Sequence, residues 1–62
     1  MNELAKEAAK YAKEANDECM GNIDDIVEYI EEQFRLNNKE LEARQIETEI
    51  YFAAATSLAF DR

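Results

Sequence analysis

Asp25, Glu28 and Glu32 recur at i, i+3 and i+7, the spacing that places side chains on one face of a helix. Carboxylates set out in this way have two uses. They hold a metal ion, or they present fixed negative charge to a basic surface. The paired-metal arrangement of helical bundles needs Glu-x-x-His on facing helices, and the chain has no His. The three acids also lie opposite the stripe Ile23, Val27, Ile30 and Phe34, on the side a helix turns to water. They are therefore read as a solvated charged face or as a ridge for a protein partner, and not as metal ligands. Tyr29 and Leu36 lie one heptad apart beside the ridge, apolar anchors rimmed by charge of the kind found at protein interfaces. The expected partner-binding set is Asp25, Glu28, Tyr29, Glu32 and Leu36.

A calcium loop fails on its own geometry. With Gly21 at the sixth position, Asn16, Glu18 and Met20 fall at the first, third and fifth, but the twelfth is Val27, where a bidentate Glu is required. A single Cys, Cys19, and no His exclude the usual zinc site. Catalysis lacks raw material as well. There is no His to act as a base near neutral pH and no Gly-rich phosphate loop, and the one Ser, Ser57, lies in an apolar run. Cys19 has no evident base and reads as a small apolar residue. The expectation is a non-enzyme without metal or cofactor.

Charge bounds the partner further. Between Lys13 and Arg35 there are eight acids and no basic residue, so this stretch alone carries −8, the net charge of the chain. Residues 1–13 sum to +1 and residues 35–62 to −1. Such a belt repels nucleic acid and anionic lipid and attracts basic protein surfaces. Direct nucleic-acid binding and membrane binding are not expected. No stretch approaches the roughly 20 apolar residues of a membrane span; the longest uncharged run, 50–60, has 11. The opening Asn-Glu-Leu-Ala-Lys has no apolar signal region, and one unpaired Cys suits a reducing compartment, so the expected location is cytoplasmic.

These residues must be positioned by helices. The chain has no Pro and one Gly, and Ala, Glu, Lys, Leu, Arg and Gln dominate. The fold class is all-α, a single domain over 1–62. A first helix spans about 3–20, capped by Asn2, with small residues at Ala5, Ala8, Ala12, Ala15 and Cys19 in a 3-4-3-4 seam. Leu4 and Tyr11 flank it. A turn falls at Gly21-Asn22, and Asn22 caps a second helix over about 23–60, with Asp24 and Asp25 in its first turn. Its first apolar arc is Ile23, Ile26, Val27, Ile30, Phe34 and Leu41. Ala43, Ile46, Ile50, Ala53 and Phe60 form a second arc about 150° round the same helix.

Two structures account for the change of side. In one, the helix breaks at Asn37-Asn38, with Asn37 as a new N-cap, Glu40 closing a capping box and Leu36 and Leu41 as a hydrophobic staple. In the other, which is preferred, one long helix uses its second half against another molecule. Glu31–Arg35 and Glu40–Arg44 are favourable (i, i+4) pairs in both. A first helix of about 18 residues covers only the first arc of its partner. The second is then left for self-association through Ile46, Ile50, Ala53 and Phe60, as expected of a chain this short, whose core supplies roughly 3–5 kcal/mol.

The expected object is thus a short helical hairpin dimerising into a helical bundle. In architecture alone it resembles the short dimeric hairpin regulators, and no motif carries over. The expected function is that of a small acidic regulator or inhibitor, a homodimer presenting acidic helix faces to a basic partner protein. The alternatives are a nucleic-acid-mimicking inhibitor of a DNA- or RNA-binding protein, of the phage or mobile-element type, and a structural subunit docking through its apolar C-terminal helix.

Overall fold

The chain is seen in a computed structural model that describes residues 3–18 and 21–60, the side chain of Phe60 excepted. Asn2, Cys19 and Met20 lie outside the described residues, as does the Phe60 side chain, and with them the expected Asn2 cap, the Cys19 end of the alanine seam and the Phe60 contact.

All four elements are helices: α1 Glu3–Asp17, α2 Ile23–Leu36, α3 Glu40–Gln45 and α4 Glu47–Phe60. The seam on α1 forms as its spacing requires. Ala8, Ala12 and Ala15 are fully buried with Tyr11 beside them, and Ala5 is half-buried. Alanine at three core positions leaves room for two neighbours, and α1 packs on both α2 and α4. At the start of α2, the Asn22 carboxamide oxygen accepts from the Asp24 backbone N–H at 2.8 Å, and Asp24 and Asp25 face the positive helix end. The expected stripe then meets α1. Ile26, Ile30 and Phe34 are wholly buried, and the Phe34 ring meets Tyr11 edge-on at 5.5 Å.

The long helix is broken, contrary to the preferred expectation, and not by the expected capping box. Asn37 closes α2 instead of opening α3. Asn38 takes φ 61°, the left-handed conformation that Asn tolerates better than most side chains. Lys39 N–H reaches back to the Phe34 carbonyl at 2.8 Å and Asn38 N–H to that of Arg35 at 3.0 Å. These two bonds with a left-handed residue between them make a Schellman stop. The first residue before α3, Lys39, offers no side-chain cap. Leu36 and Leu41, the expected staple, are 65% and 69% exposed.

A second interruption at Ile46 redirects the chain. Its backbone leaves helical geometry for one residue, with its N–H shared between the Glu42 and Ala43 carbonyls at 3.2 and 3.3 Å. The Ile46 side chain turns inward, and α4 folds back along α1. The result is an up-down-up bundle of α1, α2 and α4, with α3 as a bridge at one end. α4 runs parallel to α1, since Ser57 meets Asn16 and Ala12 far along both helices.

The second apolar arc therefore has a partner within the chain. Ile46, Ile50 and Ala54 are buried in the same core as Phe34, and Ala53 is half-buried against it. The premise that residues 46–60 lack an intramolecular partner is corrected. A helix apolar on nearly every side carries no polar face to show which way it docks.

Candidate protein-binding surface

Asp25, Glu28 and Glu32 sit on the outer face of α2, exposed, as their spacing predicts. With Tyr29 they line a shallow depression of about 360 Å³. Tyr29 differs from its expected role as a free anchor. Its ring packs half-buried against the core, and its hydroxyl donates to Glu14 of α1 at 3.2 Å. Lost hydration and the bond to Glu14 hold its phenol above the usual range. Leu36 stands exposed at the end of α2, outside this depression.

Glu28 and Glu32 also border a second notch of about 390 Å³, between α2 and α3. It contains four carboxylates, Glu28, Glu31, Glu32 and Glu40, and two guanidinium groups, Arg35 and Arg44, over Ala43. Arg35 pairs with Glu32, one turn back, and not with the expected Glu31. Arg44 pairs with Glu40 at 3.4 Å, as expected. Among the described residues Glu28, Glu31 and Asp25 make no ion pair. The two depressions thus form one acidic surface with three uncommitted carboxylates. Helical periodicity could not reveal the Glu40 and Arg44 side of it, because the Asn38 stop decides where α3 points.

The remaining polar groups are structural. Lys39 and Glu7 pair at 2.9 Å, tying the α2–α3 link to α1. Tyr11 donates to the other Glu7 oxygen at 2.7 Å and accepts from the Asn37 side chain at 3.2 Å. Lys39 holds the Glu7 carboxyl below its ordinary value. The bond to Glu7, with burial, pushes the Tyr11 phenol up to about 12. Ser57 donates to the Ala12 carbonyl at 3.2 Å and accepts from Asn16, so its hydroxyl joins α4 to α1. Among the described residues no buried side-chain polar atom lacks a partner, no group of acids is set to hold a metal ion, and no helix is long and apolar enough to cross a membrane.

Ile46 and Ile50, expected at a self-association surface, stand in the chain's own core, and Ala53 lies at its margin. Among the described residues, the large exposed apolar side chains of α4 are Tyr51 and Phe52. No family model, no curated protein and no solved structure matches the chain.

Proposed function

We propose that this chain is a non-catalytic cytoplasmic regulator or inhibitor whose outer α2 face docks on a basic surface of a partner protein. The observation that carries this reading is the set of exposed, unpaired carboxylates Asp25, Glu28 and Glu31 on one rigid helix, continuous with the Glu32/Glu40 notch. Carboxylates held on a packed helix lose little freedom on meeting Lys or Arg, and their summed field speeds encounter. In the same reading the chain acts as a homodimer.

The test is affinity capture from the source cell with the wild type and with Asp25→Asn/Glu28→Gln/Glu31→Gln, followed by binding kinetics with the captured protein at several salt concentrations. The expected result is a basic partner whose association slows with added salt and slows again with the triple variant. A partner bound equally by the variant and indifferent to salt would overturn the reading and favour apolar docking by a structural subunit. Displacement of the partner by duplex DNA would move it to nucleic-acid mimicry.

A further inference from the structure

Across the bundle from α2, α1 and α4 leave a groove of about 370 Å³ floored by Ala5, Ala9, Ala53 and Thr56. Phe52 stands on its rim, 73% exposed. Beyond Glu49 the outer face of α4 carries no charge, and Tyr51, Ala55 and Ala59 are exposed beside Phe52. In a chain with 35% charged residues this is the one helix face so built among the described residues. Lys6 and Glu49 mark the two sides of the groove, and among the described residues neither makes an ion pair within the chain.

We infer that this groove takes a second copy of the chain, related by a two-fold axis, with Phe52 of each copy seated in the groove of the other and Lys6 of each facing Glu49 of the other. The inference rests on the self-association part of the reading above and names its surface. A two-fold interface must be self-complementary. A knob beside a hole, with one cation and one anion flanking them, meets that requirement. The acidic face does not. The outer α2 face would oppose carboxylate to carboxylate, whereas Lys6, Lys10 and Lys13 lie exposed along α1 beside the groove. Helices of 15 and 14 residues give a face about 20 Å long and about 20 Å wide. That is smaller than the roughly 800 Å² per partner of a standard interface. An interface of this size belongs with the weak, transient ones, and a dissociation constant on the order of 10–100 µM is expected.

Sedimentation from about 1 µM to 1 mM (spanning about tenfold either side of that range) tests this. The wild type should pass from monomer to dimer. Phe52→Glu should remain monomeric with unchanged helix content, because the side chain is exposed. Lys6→Glu and Glu49→Lys should each weaken the dimer about tenfold or more, since each opposes like charges at two symmetric places. An equimolar mixture of those two variants should regain it as a heterodimer. A wild type still monomeric at the highest concentration overturns both self-association and this interface. A dimer that survives Phe52→Glu, or a mixture with no heterodimer, leaves self-association standing and overturns the groove as its site. If Phe52→Glu loses helix content, the charge-swapped mixture decides alone.

Discussion

Tyr11 is the residue on which most of the bundle converges. Its ring meets Phe34, and its hydroxyl lies between Glu7 and Asn37, next to the Lys39 pair. Its phenol titrates at about 12 in the folded chain, against about 10 when unfolded. A group whose folded pKa is raised stabilises the fold fully below the unfolded value and loses that contribution as pH rises through the folded one. Stability should fall between about pH 10 and 12, and Tyr11→Phe should reduce that fall, leaving the part due to Tyr29, whose phenol is also raised, as checked by urea melts across the window. Glu7 works in the opposite direction. Its folded value is lowered, so its contribution is present above the ordinary carboxylate range and is lost on acidification through it. Phe34, wholly buried against Tyr11, should cost about 3–5 kcal/mol on change to Ala. That is comparable to the whole core of so small a domain, so Phe34→Ala should be largely unfolded at 25 °C by circular dichroism.

At the scale of elements, the Asn38 stop and the fold-back of α4 define the architecture. A β-branched side chain resists φ near +60°, so Asn38→Val should destabilise by about 1–2 kcal/mol, while Asn38→Gly should be neutral or stabilising. A denaturant midpoint that does not move with Asn38→Val would show that α2 ends for another reason. Ile50 is wholly buried within the chain. Ile50→Ala should therefore lower stability by about 2–5 kcal/mol, with a shift in melting temperature that is the same at low and high protein concentration. A shift that grew with protein concentration would return Ile50 to an intermolecular surface. These elements also show what the sequence reveals. The stripe from Ile23 to Phe34, the alanine seam from Ala5 to Ala15 and the Asn22 cap are local patterns with one reading each, and over the described residues they stand as read. Asn37 and Asn38 fit an N-cap or a left-handed stop equally, because Asn serves both. The turn at Ile46 has no Gly or Pro to announce it, and α4, apolar all round, gives no direction. Only the three-dimensional competition for the face of α1 decides among these.

On the scale of the whole molecule, charge is the organising quantity. The face bearing Asp25, Glu28 and Glu32 was legible because one helical period fixes it. The notch with Glu40 and Arg44 was not, since it depends on the angle between two elements. With a net charge of −8 and eight of the acids in one stretch, self-repulsion opposes compactness at low ionic strength. Raising salt from about 10 mM to about 0.3 M shortens the screening length from roughly 30 Å to under 10 Å. The melting temperature should rise over this range. A fall would mean that the Lys39–Glu7 tie and the surface pairs contribute more than the repulsion they sit among.

The acidic face of α2 and the groove between α1 and α4 lie on opposite sides of a bundle only a few helices thick. Two copies joined through their grooves would therefore carry their acidic faces outward, pointing away from each other. Such an object is bivalent but cannot set both faces on one flat surface. It would link two partner molecules, or two copies of a basic site on a repeating array, and gain avidity only where those sites are spaced to receive it. At concentrations below dimer dissociation the same chain would be a monovalent blocker, so its own abundance would select between cross-linking a partner and capping it.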